Sequence, residues 1–512
     1  MSTIQAEPPP GTPPDGKTDI AALAKGGRQN FLGFLVRLVG MLPFLFIAGR
    51  LYGAAELGRY ASALVVVEIV GLICSMGEKR GLAQRLTEGA DAHPANVVFD
   101  GMLVAVLSGL VAAIFFWLVP APMFPSGEFT DLDLLIVLAI PGYALTEIVL
   151  AAQAYRFDIA TTVRARSIVL PWTLSLSAGA FYFLIPESGL SLAYLASIYA
   201  GLLTGLWSFL RTYGLPKVWR PRPRAMWAMT VRALPLATAD AIEWGTRRLD
   251  IFILGLFAAP SAVGVYYVAQ QVASLPQKLK TSFEPILGPV ITRNLAEKNY
   301  PAIAKQVCQV GFWIVAAQAG IALALGIPGE AVMGLVGPTF VGGTGALAFL
   351  LLAEVVAATA VVSEAALIYV ARVRNLAISV ATIALQAALT IAAMIAIERL
   401  GWPESWEAAA AAAALMVALG TASLVKSRLL GRILGERINN WRWALVYAAV
   451  PAVIVGLLAI RLPEWAELAF GIPAILLAYD AMIWRYGFGP EDRMLFRRNL
   501  EHPEQAVAGE AR

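Results

Sequence analysis

Charge is scarce in this chain. Of 512 residues only 14% are Asp, Glu, Lys or Arg, against about a quarter in soluble domains, so the chain cannot clothe an ordinary water-facing surface. Cysteine and histidine are nearly absent. Cys74 and Cys308 both lie in apolar stretches, and His93 and His502 complete the set. That excludes a disulfide framework and any Cys/His zinc spacing, and no metal or other cofactor is expected. Gly11–Thr18 has the Gly-x4-Gly-Lys-Thr spacing of a phosphate-binding loop, but it carries two prolines and lies in a polar tail with no apolar strand before it, so ATP is not expected as the direct energy source. No cleavable signal peptide is visible. The first residues, Met1–Lys25, are polar and proline-rich, with Pro8, Pro9, Pro10, Pro13 and Pro14, and read as a disordered tail. No nucleic-acid-binding module is recognisable either.

What the chain has is apolar length: 59% hydrophobic residues and a mean hydropathy of +0.69. A bilayer core needs about 20 apolar residues per helix. Spans are predicted near 29–52, 60–78, 97–119, 132–154, 167–185, 190–211, 234–257, 264–289, 306–327, 344–371, 375–397, 408–425, 443–460 and 467–484. The apolar runs are continuous and do not alternate, which favours helices over a barrel. The expected fold is an all-α polytopic membrane protein of about 14 transmembrane helices. No predicted loop is long enough for a soluble catalytic domain, so an enzyme is not expected, and function must reside among the helices.

Lys and Arg placement sets the expected orientation. The loops of one side hold only Arg59, Arg399 and Arg461, whereas the loop 212–233 on the other carries Lys217, Arg220, Arg222, Arg224 and Arg232. By the positive-inside rule both termini lie in the cytoplasm.

Two loops of the opposite side share a pattern. Gly49-Arg-Leu-Tyr-Gly-Ala-Ala-Glu-Leu-Gly58-Arg-Tyr60 and Gly255-Leu-Phe-Ala-Ala-Pro-Ser-Ala-Val-Gly264-Val-Tyr266 have identical Gly-to-Gly and Gly-to-Tyr spacings, at an offset of 206 residues (255 − 49). Glu78 falls on Glu284 at the same offset. Both copies start from one side of the membrane, so the repeat is parallel. The expected organisation is a tail (1–28), a six-helix lobe (29–212), a basic cytoplasmic linker (213–233), a second six-helix lobe (234–430), two added helices (431–486) and a second tail (487–512).

On these residues a resemblance appears. Arg50–Ala61 resembles the first outside loop of polysaccharide flippases. The stretch Leu249-Asp250-Ile-Phe-Ile-Leu-Gly255, with Gly264-Val-Tyr266-Tyr-Val-Ala-Gln270 and Pro276, is similar to their junction of spans seven and eight. The family belongs to the multidrug/oligosaccharidyl-lipid/polysaccharide exporter superfamily, with the lipid II flippases and the multidrug antiporters. The resemblance implies a flippase of undecaprenyl-pyrophosphate-linked sugars in the bacterial inner membrane. It would work as a monomer among membrane lipids, beside a polysaccharide polymerase and glycosyltransferases.

Ionisable residues inside the membrane cost about 2.5–3.5 kcal/mol each on insertion scales. The seventh predicted span holds Asp240, Glu243, Arg247, Arg248 and Asp250. At helical pitch Asp240, Glu243, Arg247 and Asp250 share an arc of about 80°. Either the stripe lines a wet cavity, or it is closed by local pairs such as Glu243–Arg247 and Arg247–Asp250. The eighth span carries Gln270, Ser274, Gln277, Thr281 and Glu284 within a similar arc of about 80°, flanked by Lys278 and Lys280. These read as a cavity wall or as interhelical hydrogen bonding. In the first half, Arg37 sits mid-span, Arg50 lies near an end, and Glu68, Ser75 and Glu78 share a face. Glu147, Glu354 and Glu364 are further in-span acids.

The candidate substrate contacts are therefore Arg37, Arg247, Arg248, Lys278, Gln270 and Gln277. Arginine is favoured because its guanidinium forks onto phosphate oxygens. Candidate ion-coupling carboxylates are Glu68, Glu78, Asp240, Glu243, Asp250 and Glu284. Acids and bases are nearly balanced in the interior, which leaves a multidrug or metabolite antiporter of the same superfamily as the alternative. A membrane-embedded polysaccharide polymerase or ligase would need a sizeable outside loop bearing catalytic residues.

Overall fold

A computed structural model describes residues 39–77, 81–82, 85–87, 93–156, 158–216, 219–221, 223–224, 226–231, 237, 245, 248–281, 291–292, 294–295, 297–489 and 492. For 277–281 only the backbone is described. The protein is an all-helical polytopic membrane protein with ten helices among the described residues long and apolar enough to cross a bilayer, and a shorter apolar helix at Ala444–Ala459. Side chains that water would punish stand exposed along them: Phe183 at 82%, Leu118 at 75% and Leu176 at 70%. Such faces require lipid.

The chain divides into two compact units, Met1–Tyr52 with Ala63–Gly245, and Gly53–Ser62 with Thr246–Arg512. The segment 39–52 of the first unit leads into helix α1 (Gly53–Cys74), whose opening Gly53–Ser62 belongs to the second unit and whose remainder belongs to the first; α2 (Pro94–Leu118), α3 (Ala139–Tyr155), α4 (Leu170–Leu184) and α5 (Gly189–Tyr213) follow in the first. The reading of 49–60 as a loop is corrected here: helical backbone runs through Val39–Cys74. At about 1.5 Å per residue a straight helix of that length would far exceed a hydrocarbon core of about 30 Å. A π-helical turn at Ala48–Tyr52 and Gly53, whose φ is +83°, break its path; only glycine takes that backbone without strain. The segment 39–52 lies along α4. The Tyr52 hydroxyl donates to the Ala178 carbonyl at 2.7 Å, and Gly40 abuts Pro171 and Trp172. The core of this unit is built from small and branched residues such as Ala139, Ile140, Ala144, Ile148, Ala178 and Ala193.

The second unit follows with α6 (Leu249–Phe257), α7 (Pro260–Thr281), α8 (Tyr300–Gly326), α9 (Gly329–Val336), α10 (Thr344–Val370), α11 (Arg372–Leu400), α12 (Ser405–Leu434), α13 (Ala444–Ala459) and α14 (Ile472–Met482). Helix α9 occupies part of what hydropathy presents as the loop 328–343. Ala331, Val332, Met333 and Val336 are buried, so apolar content too short to span is spent on packing. The last two spans share one core with α8: Leu445, Ala448, Ala452, Ile475 and Tyr479 cluster with Val307, Phe312 and Ile314.

The repeated motif forms a joint inside this unit, where Gly53–Ser62 crosses the start of α7. A Cβ on Gly58 would stand 1.7 Å from the Pro260 carbonyl oxygen, and one on Gly264 would stand 2.0 Å from the Ala54 carbonyl oxygen. Pro260 lies 206 residues beyond Ala54 (260 − 54), as Gly264 does beyond Gly58 (264 − 58). The two copies thus meet through equivalent atoms, the signature of a local two-fold relation. Tyr60 and Tyr267 pack edge to face beside the crossing, ring centroids 6.2 Å apart.

Candidate functional site

Helices α6 and α7 are joined by a short link, with Ala258 in extended conformation. Asp250 and Tyr266 each stand eight residues from Ala258 (258 − 250; 266 − 258), so the hairpin brings them level. The Tyr266 hydroxyl donates to Asp250 Oδ2. Gln270, one turn further along α7, donates to the same oxygen at 3.0 Å. The backbone N–H of Ile251 donates to Asp250 Oδ1 at 3.0 Å. Arg248 Nη1 in turn donates to Gln270 Oε1 at 2.8 Å. Gln270 therefore relays between a guanidinium and a carboxylate. Asp250 and Tyr266 are fully buried, at 0% exposure.

Two other in-span acids meet direct countercharges. Glu147 on α3 takes Arg166 Nη2 at 2.5 Å. Glu364 on α10 takes Lys426 Nζ of α12 at 3.0 Å, and the same ammonium reaches Ser379 at 3.1 Å while Asn375 donates to Glu364 at 3.2 Å. Lys426 is only 4% exposed. In each pair the buried member, Glu147 or Lys426, has its charge met by a half-exposed partner. Asp250 instead accepts from a phenol, an amide and a backbone N–H, with the Arg248 guanidinium reaching it through Gln270.

The repeat sharpens the contrast. At the offset of 206, Arg248, Asp250 and Gln270 correspond to Leu42, Phe44 and Leu64, while Tyr266 corresponds to Tyr60. The first copy, which runs as helix through Val39–Cys74, therefore carries only the tyrosine of this set.

The structure thus brings together three of the sequence candidates, Arg248, Asp250 and Gln270. Glu68 lies half-buried on α1 and Arg50 is exposed. Gln277 and Lys278 lie on the helical backbone of α7, where their side chains fall outside the description. Arg37, Glu78, Asp240, Glu243, Arg247 and Glu284 lie outside the described residues. Sequence reading missed Tyr266 as a partner, although its distance from the turn matches that of Asp250. It also missed Lys426, because the span was ended at 425 while α12 continues to Leu434. Arg166 was placed just outside a span that in fact begins at Ile159.

The sequence model of a family described as "Polysaccharide biosynthesis protein" matches residues 47–315. Among curated proteins none matches by sequence. Among solved structures, the lipid II flippase MurJ in an inward closed conformation is similar at a TM-score of 0.69 and 12% identity, over 92% of this chain and 99% of that one. An inward-facing multidrug resistance MATE family transporter of the MOP superfamily is similar at 0.60 and 14% identity, over 77% and 98%. An outward-facing one gives 0.55 and 12%, over 81% and 95%. These likenesses establish the fold.

Proposed function

The chain belongs to the polysaccharide biosynthesis protein family, and from that premise we propose that it flips a lipid-linked oligosaccharide across the bacterial inner membrane. It is a membrane protein of transporter fold; the substrate in this reading is an undecaprenyl-pyrophosphate-linked sugar destined for surface polysaccharide such as lipopolysaccharide or exopolysaccharide. One observation carries it: a chain from a polysaccharide-building family shares its fold, over 92% of its length, with a lipid flippase. Both termini lie in the cytoplasm, and a polymerase and glycosyltransferases act on either side of the step.

Alternating access supplies the mechanism, with each state favoured by the contacts it makes to headgroup and ions. Arg37, Arg247 and Arg248 hold the pyrophosphate, whose two charges suit forked guanidinium donors. Gln270, Gln277 and Lys278 line its path. Asp250, relayed to Arg248 through Gln270, senses whether Arg248 is engaged by the substrate, and Glu68, Glu78, Asp240, Glu243 and Glu284 are the remaining coupling carboxylates. In cells, depletion of the protein is expected to strand lipid-linked repeat units on the inner leaflet, and Arg37→Ala, Arg247→Ala and Asp250→Asn to do so in part. Normal surface polysaccharide after full depletion would overturn the reading.

The fold shared with the multidrug transporters favours a second reading, an ion-coupled antiporter of small molecules. Efflux of cationic dyes driven by a proton or sodium gradient, with unchanged polysaccharide, would select it.

A further inference from the structure

The basic linker after α5 is folded against the first unit. Trp219 Nε1 donates to Asp100 Oδ1 at 2.8 Å, and its ring meets Phe99 edge to face at 5.8 Å. The backbone is helical at 223–224 and 226–231. At 100° per residue Met226, Met229 and Thr230 share one side of this helix, and Arg224, Trp227, Ala228 and Val231 share the opposite side, each within an arc of about 100°. The first side faces protein: Met226 is 8% exposed and Met229 lies against Arg85. The second side is bare, with Trp227 at 71% and Val231 at 54%, and Arg220 and Arg224 also exposed.

We propose that this outward face docks on the anionic headgroup layer of the adjoining leaflet, Trp227 and Val231 entering the interface and Arg220 and Arg224 meeting lipid phosphates. Three observations name a bilayer as the occupant. The linker leaves α5 at Tyr213, where a span has just ended, and Trp207 in that last stretch stands 63% exposed with the Arg211 guanidinium 4.6 Å from its ring. No acidic residue occurs between Glu187 and Asp240, while Lys217, Arg220, Arg222, Arg224 and Arg232 all do; a surface of that sign complements acidic lipid. Tryptophan beside arginine on one face of a short helix is the composition that sits at the headgroup boundary. A linker so held would make the protein responsive to leaflet charge, independently of what it transports.

The test uses the full-length protein in nanodiscs of phosphatidylcholine alone, or mixed with phosphatidylglycerol. Ala228, exposed beside Trp227, is replaced in an Ala228→Cys variant carrying Cys74→Ala and Cys308→Ala, and labelled with a fluorophore. Acrylamide quenching then reads its access to water. Phosphatidylglycerol should protect the probe several-fold relative to the same protein in detergent. Each arginine near an acidic surface is worth about fivefold in partitioning, so Arg220→Gln with Arg224→Gln should weaken the lipid-charge dependence severalfold, and high salt should weaken it further. Both arginines are exposed, so the double variant should keep its fold. Quenching in phosphatidylglycerol equal to that in detergent would overturn the proposal. So would protection that rises with the number of protein copies per disc, which would mean that a second copy covers the face. Protection indifferent to lipid charge and to the two arginines would overturn the ionic assignment.

Discussion

At the scale of single residues, Glu147 and Glu364 meet a cation directly, whereas Asp250 accepts from a phenol, an amide and a backbone N–H. Glu364 and Lys426 are partners of the first kind. Removing one member of such a pair strands the other, which typically costs 3–5 kcal/mol in a buried setting. Glu364 retains 37% side-chain exposure, so Lys426→Met should lose less, about 2–3 kcal/mol. Lys426→Met with Glu364→Gln should recover most of it. Unfolding in detergent measures both; a single variant as stable as wild type would show that the pair holds nothing.

A second residue effect lies beyond the last span. Burial works to raise the Asp492 carboxyl, but donors outweigh it and hold it below the usual carboxylate range: Arg442 at 2.9 Å, Gly489 N at 2.9 Å, Gln309 at 3.0 Å and Trp313 at 2.8 Å. A carboxyl lowered in the folded state binds fewer protons than in the unfolded chain. Its stabilisation is therefore complete above the unfolded value of about 3.9 and disappears as pH falls through the lower folded value. Asp492→Asn should flatten the acid limb of the stability profile, read by melting temperature between neutral pH and strong acid. An unchanged acid limb would count against this role for the four donors to Asp492.

At the scale of elements, the glycine crossing in the second unit is the sharpest constraint. Gly58→Ala and Gly264→Ala each drive a methyl into a carbonyl oxygen of the facing segment. Backbone cannot yield as a side-chain tip does, so each should cost at least the 1–3 kcal/mol typical of overpacking. Gly53→Ala meets open space and should pay only for its positive φ, about 1 kcal/mol. Comparative melting of the three variants would show that order, and equal losses would refute the steric account.

Much of this level was legible in the sequence. The repeat spacing marked Gly58 and Gly264 before either had a place, because close backbone approach leaves glycine as its trace. Span positions were legible because lipid demands long apolar runs. Their ends were not. Helical hydrogen bonding carried α12 past Lys426 to Leu434, since a lysine that finds Glu364 no longer marks a water boundary. The loop 328–343 hid α9 because a short apolar helix and an apolar loop have the same hydropathy. Asp492 was read as part of a polar tail; its four donors come from residues 309, 313, 442 and 489, which no local pattern joins. Asp250, Gln270 and Arg248 were legible as charges out of place, but their mutual contacts depend on the α6–α7 turn.

At the scale of the whole molecule, the fold is that of a transporter and the family is one of polysaccharide biosynthesis. What the proposal adds is a cargo and a use for the set found only in the second copy of the repeat. Asp250→Asn keeps one oxygen to accept from Tyr266 and Gln270 but turns its NH2 toward the Ile251 N–H, so it should cost about 1–3 kcal/mol of stability while lowering transport per folded molecule by about tenfold or more, the scale of one lost charge-assisted contact. Loss of stability with transport intact per folded molecule would assign the cluster to structure instead.

The most direct test is movement of the lipid itself. The purified protein is reconstituted into vesicles holding a fluorescent undecaprenyl-pyrophosphate-linked oligosaccharide in both leaflets, and a membrane-impermeant reductant is added outside. If the protein flips this cargo, bleaching proceeds beyond the outer-leaflet fraction toward completion, and more slowly with Asp250→Asn. If bleaching stops at the level of protein-free vesicles, with or without an ion gradient, lipid-linked sugar is not what this protein carries.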